Sequence, residues 1–134
     1  MYYNVFGEKV SRRRYKEMCA AAKNRRELIA AGASAVILTL DAQGGVYCDR
    51  SSAYRYLPAP ADLIDATGAG DAFCSAFLTF RSRGNDVVEC LRRAAVAAAI
   101  TTESAHATSP SLSSDAIEHR LSSVDPPIVT PFVS

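Results

Sequence analysis

Apolar residues recur along this chain in two rhythms, one helical and one strand-like. In residues 11–31, Tyr15, Met18, Cys19 and Ala22 return at spacings of three and four, and Gly32 follows as a stop. Residues 35–40 read AVILTL, a short run rich in branched side chains. It predicts a strand buried on both faces, as in a parallel sheet. Residues 41–45 end in two glycines and predict a turn. VYCD at 46–49 and YRYL at 54–57 predict two short strands of a hairpin or sheet edge. Pro58 and Pro60 then break the pattern, and Leu63 and Ile64 lead into a stretch of small residues.

From Gly68 the helical rhythm returns. Ala69, Ala72, Phe73, Ala76, Phe77 and Phe80 form a stripe that Gly84 ends. Asp86 is placed to cap the next helix, whose stripe is Val87, Val88, Leu91, Ala94, Ala95, Ala98 and Ala99. Its alanines permit close approach to neighbours. Residues 101–110 are polar and irregular, and Ser113 or Ser114 caps a last amphipathic helix running to about Leu121. Prolines after Asp125 predict a loose tail over residues 125–134, leaving 1–124 as the folded part. Strand, turn, strands, loop and helices in this order indicate an α/β domain.

Composition narrows the choice of function. A chain of 134 residues suffices for one domain with a core. The net charge is +1, with acids and bases interspersed. No strong field for nucleic acid or a membrane surface follows from that. The run Arg12, Arg13 and Arg14 reads as a solvated helix start. Cys19, Cys48, Cys74 and Cys90 include no CxxC pair, and there are only two histidines, so a structural zinc site is not expected. Free, buried thiols in a reducing compartment are expected instead. The opening residues have no apolar core of signal-peptide length, and no run reaches membrane-spanning length. A cytoplasmic protein is the expectation.

The densest chemistry lies in ATGAGDAF, residues 66–73. The first N–H groups of a helix lack partners inside it and carry the positive end of its dipole. Gly68, Ala69 and Gly70 leave that backbone bare, so an anion can approach closely. Asp71 puts a carboxylate one residue further on. A carboxylate beside an anion is costly unless it has a task, and accepting a proton from an attacking hydroxyl is such a task. The alternative is that Asp71 only answers the helix dipole, worth about 0.3–1 kcal/mol. A P-loop is excluded, because no Lys-Ser or Lys-Thr follows the second glycine. A dinucleotide-binding turn is excluded because Phe73 stands where a small residue is needed.

DATGAGDAF, residues 65–73, closely resembles the C-terminal signature of the ribokinase-like (PfkB-type) small-molecule kinases. AVILTLDAQGGVY resembles their nucleotide-holding strand and turn, and TTESAHATSPSLS resembles their adenine-side segment. That last stretch looks most like pseudouridine kinases. The resemblance, over about residues 33–121, implies the C-terminal, nucleotide-binding half of a Rossmann-like kinase domain. It implies transfer of the ATP γ-phosphoryl, with Mg2+, to a hydroxyl of a small-molecule sugar or nucleoside, with pseudouridine as the suggested acceptor. By resemblance Asp71 is the general base, and the N–H groups of Gly68, Ala69, Gly70 and Asp71 form the anion hole. Thr39 and Gly44 stand at nucleotide positions, and Ala98, Thr102 and Ser104 at adenine positions. For Thr102 and Ser104, ordinary helix C-terminal capping is the competing reading. Asp65 and the Thr67 carbonyl stand where many members hold a monovalent cation such as K+, with Thr102, Ala105 and Ser111 near.

Two departures matter. Asp41 stands where a glycine is usual after Thr-Leu. The family's Asn-x-x-Glu motif, which organises magnesium, has no clear match. Asn4 and Glu8 are one residue too far apart, while Asn24 and Glu27 have the spacing but sit in the helix before AVILTL. The resemblance implies members of about twice this length, with the sugar site and lid in an N-terminal half. The isolated chain is then expected to be inactive without that half or a partner chain. The competing reading is a catalytically silent module that binds nucleotide or a partner.

Overall fold

Residues 40–44 join two strands, and that span is too short for the parallel crossover that AVILTL suggested. Parallel neighbours need a connection of about a dozen residues or more. In the computed structural model, β3 (Ala35–Thr39) pairs antiparallel with β4 (Gly45–Asp49), Ile37 facing Tyr47. β3 is half-exposed and lies at one end of its sheet among the described residues, so the expectation of a strand buried on both faces is corrected. The structure describes residues 2–3, 9–10, 13, 27, 29–32, 34–39, 43–104, 112–123 and 126–131. Asn4, Glu8, Arg12, Arg14, Cys19, Asn24, Asp41, Ala105, Ser111 and most of the first expected helix lie outside these residues.

β4 continues into β5 (Ala53–Tyr56) through a hairpin. Asp49 Oδ1 fixes this turn by accepting from the N–H groups of Ser51 and Ser52 at 2.9 and 2.7 Å. β6 (Val129–Pro131) then pairs antiparallel with β5, completing a four-stranded sheet in the order β3-β4-β5-β6. The expected loose tail is thus corrected at residues 129–131. Pro131 is tolerated there because β6 is an end strand of the described sheet. A separate ladder joins β1 (Tyr2–Tyr3) to β2 (Lys9–Val10).

Among the described residues, three helices lie between β5 and β6 in the chain. α1 (Ala69–Ser82) buries Ala72, Phe73, Ala76, Phe77 and Phe80, the stripe expected apart from half-buried Ala69. Gly84, at φ 91°, follows its end. α2 (Val87–Thr102) is capped by Asp86, which accepts from the Glu89 N–H at 2.9 Å. α2 is buried more broadly than its stripe suggested, since Cys90, Val96, Ala97, Ile100 and Thr101 are also inside. It packs against α1, α3 and the sheet, and keeps only a narrow, partly solvated face at Glu89, Arg92 and Arg93. α3 (Ser114–Ser123) is capped by Ser113, whose Oγ accepts from the Ala116 N–H at 3.0 Å.

The sheet meets the helices through aromatic contacts. Tyr47 packs on Phe77 with ring centroids 5.7 Å apart, and Tyr56 stacks on Phe73 at 4.7 Å. These contacts seat the start of α1 beside the β4–β5 hairpin. Of the described cysteines, Cys48 and Cys90 are buried as expected, but Cys74 is exposed on the outer side of α1. Among the described residues no helix is long and apolar enough to cross a membrane.

Candidate active site

The α1 start is built by glycine for two different reasons. Gly68 adopts φ 83°, a left-handed conformation that an L side chain rarely takes. A Cβ on Gly70 would meet nothing within 4 Å, so packing does not require glycine there. Its effect is to leave the helix end bare on the open side. The Ala69 N–H is engaged by the Ala66 carbonyl at 3.2 Å, and the Ala72 N–H by that of Gly68 at 2.9 Å. Gly70 and Asp71 fall between them, with N–H groups that find no acceptor within the helix. Of the three expected amides that lie within α1, that of Ala69 already has a partner, which leaves those of Gly70 and Asp71. Asp71 is exposed in the first turn, beside these amides.

Asp65 is committed locally. Its Oδ1 accepts from the Thr67 hydroxyl at 2.7 Å and the Thr67 N–H at 2.9 Å. The Thr67 hydroxyl, then its N–H, hold the Asp65 carboxyl below the usual carboxylate range. It is therefore ionised at neutral pH. Such a turn fixes the path of the chain into Gly68.

Beside the α1 start lies a cavity of about 360 Å³. It gathers Thr39 from β3, Gly44 from the turn, Ala69 and Gly70 from α1, and Ala98 and Thr102 from α2. Gly68, Asp65, Thr67, Asp71 and Ser104 do not line it. Tyr56 and Phe73 do, with Pro58, Ala59 and Leu63 from the connecting segment. The sequence did not single out Tyr56 or residues 58–63 as site residues. Pro58 and Pro60, which hold the chain extended just ahead of the motif, were the available signal. The walls are mostly apolar and small-sided, which suits a flat ring system.

The Thr102 hydroxyl donates to the Ala99 carbonyl at 2.8 Å, so the capping reading of this side chain holds even though Thr102 lines the cavity. The Ser104 N–H donates to the Thr101 carbonyl at 3.2 Å. Glu103, between them, accepts from Arg120 Nη2 at 2.6 Å. The Arg120 guanidinium holds the Glu103 carboxyl below its usual range against the opposing effect of burial.

Gly44 is a tight point of the cavity wall. Its φ is 80°, and a Cβ there would lie 1.9 Å from the Tyr56 carbonyl oxygen. Backbone, not a flexible side chain, would have to move. Gly44→Ala is expected to cost at least about 1–3 kcal/mol from conformation alone. Gly84→Ala is the control, since its Cβ would meet nothing within 4 Å. Thermal unfolding of both variants should show the larger loss at Gly44, and equal losses would contradict this packing account.

Residues 8–114 match the family described as pfkB family carbohydrate kinase. The chain belongs to this family. Fructoselysine 6-kinase of Escherichia coli K12 is 33% identical over 78 residues, which are 58% of this chain and 30% of the relative. Cytidine kinase of Thermococcus kodakarensis is 40% identical over 65 residues, 46% of this chain and 23% of the relative. The crystal structure of ribokinase from Thermotoga maritima superposes with a TM-score of 0.71 at 24% identity, covering 88% of this chain and 37% of the ribokinase. The ribokinase-like fold expected from the sequence is therefore shown. The stretches that match cover well under half of each of these proteins.

Proposed function

We propose that this chain is the nucleotide-binding and phosphoryl-transfer part of a kinase that moves the ATP γ-phosphoryl to a hydroxyl of a sugar or nucleoside. The observation that carries this reading is the junction of a bare, glycine-built helix start with an apolar cavity lined by Thr39, Gly44, Ala98 and Thr102. The cavity takes the base and ribose. The transferring phosphoryl lies against the Gly70 and Asp71 amides, with Gly68 and Ala69 shaping the turn. Asp71 accepts the proton of the attacking hydroxyl, whose oxygen then bonds to the γ-phosphorus as the bond to ADP breaks. Positioning and electrostatics supply most of the rate in such transfers.

Mg2+ accompanies the nucleotide and offsets phosphate charge. The Asp65 carboxylate, ionised and locked in orientation by Thr67, together with the Thr67 carbonyl, has the hard oxygen chemistry that suits K+. A cation there would steady the helix start. Ser104, which does not line the cavity, has an adenine-side role only by resemblance. The acceptor class rests on the family, and TTESAHATSPSLS favours pseudouridine within it. The chain alone, whose superposed part covers 37% of a ribokinase, is expected to bind nucleotide and turn over weakly or not at all.

The test uses the full-length protein that carries this segment, with labelled ATP and pseudouridine, cytidine, ribose and fructoselysine as acceptors. Transfer to at least one is expected, with pseudouridine fastest. Saturable ATP binding without transfer to any acceptor would favour the silent binding module. Absence of both would contradict the proposal.

A further inference from the structure

The segment that delivers the α1 start is held from behind by the end of α2. The Thr102 carbonyl accepts from the N–H groups of Ile64 and Asp65 at 2.8 and 3.0 Å. Next to it, Glu103 Oε2 accepts from the Asp62 N–H at 3.1 Å. Glu103 Oε1 is occupied by Arg120 of α3 at 2.6 Å. Asp65 then grips Thr67, and Gly68 opens α1. A series of hydrogen bonds therefore leads from α3, through the end of α2, to the residues preceding the glycines.

We propose that Glu103, oriented by Arg120, is a positioning residue for phosphoryl transfer. It rests on the kinase reading above. Glu103 fixes Asp62, next to the Thr102 carbonyl that holds Ile64 and Asp65, and through this segment sets the Gly70 amide and Asp71 beside the cavity. Both carboxylate oxygens are used, and for different ends. An ion pair serving only to join α2 to α3 would need Arg120 alone, yet the second oxygen reaches a backbone N–H 41 positions away in the chain. A half-buried surface pair of this kind adds modestly to stability, which does not account for the second oxygen's reach to the Asp62 backbone. Geometry does, because a displacement of about 1 Å at a reacting group can cost on the order of 10²-fold in rate. Asp62 and Leu63 are exposed, so little packing holds this segment in place.

The experiment compares Glu103→Ala, Glu103→Gln, Arg120→Ala and the Glu103→Ala/Arg120→Ala double variant in the full-length kinase. Glu103→Ala should lower kcat by about 10–100-fold, with little change in the KM for ATP and a melting midpoint within a few degrees of the parent. Glu103→Gln should restore most of the rate, because its amide oxygen still accepts from Asp62. The double variant should be no slower than Glu103→Ala, since the two residues act as one unit. A parental kcat in Glu103→Ala, a Gln variant as slow as the Ala variant, or additive losses would each overturn the proposal. Failure of the kinase reading looks different, because the parent protein would then transfer no phosphoryl group. Amide hydrogen exchange in the same protein decides the positioning claim in that case. Glu103→Ala should speed exchange at Asp62, Ile64 and Asp65, and unchanged protection there would overturn it.

Discussion

Asp71→Asn should lower kcat of the full-length kinase by about 10²–10⁴-fold, the usual contribution of a general base. The substitution is nearly isosteric. Asp71 is exposed, so no core contact is lost. The expected stability change is confined to the dipole contribution, about 0.3–1 kcal/mol. ATP affinity should hold or improve, since a negative charge next to the phosphates is removed. The reading of Asp71 as only a helix-start residue makes the opposite forecast, a slightly lower melting midpoint with turnover near the parent. Steady-state kinetics and a melting curve on one variant separate them.

Phe73→Ala should instead strike the fold. Phe73 is 3% exposed, stacks on Tyr56 with ring centroids 4.7 Å apart, and forms part of the cavity wall. Truncating a buried Phe typically costs about 3–5 kcal/mol, a large share of the roughly 5–15 kcal/mol that a domain commands. The melting midpoint should fall by on the order of 10 °C. At temperatures where the variant remains folded, the widened cavity should raise the KM for ATP. Leu78→Ala on the same helix is the contrast, because Leu78 is 66% exposed and should change stability by less than about 0.5 kcal/mol. Similar melting of the two variants would contradict the packing described for α1.

The helices were legible because their signals are local. The phenylalanine stripe, the Asp86 cap and the Gly84 stop each depend on residues within a few positions, and the structure keeps them. The same holds for the motif: its glycines shape the chain where they stand, and the cavity brings Gly70 together with Thr39, Gly44, Ala98 and Thr102. What escaped the sequence depends on distant partners. An apolar run such as AVILT has the same composition in a parallel or an antiparallel sheet, and only the length of the following turn decides between them. β6 exists because β5 offers it an edge, which prolines near residue 126 do not announce. Val96 and Ala97 are buried although they lie off the stripe, in a helix that packs against α1, α3 and the sheet. Tyr56 joins the cavity wall through its stacking on Phe73, and Glu103 meets Asp62 from far along the chain.

The central claim is that the cavity beside the α1 start receives a nucleotide. An amide-resolved NMR titration of the 134-residue chain with Mg2+-ADP tests it most directly. The account predicts saturable shifts, fitted by one dissociation constant, at Gly44, Gly70, Asp71, Ala98 and Thr102, while the β4–β5 turn at residues 50–52 stays unmoved. Shifts confined to other surfaces, or no saturable shift at these residues, would contradict it.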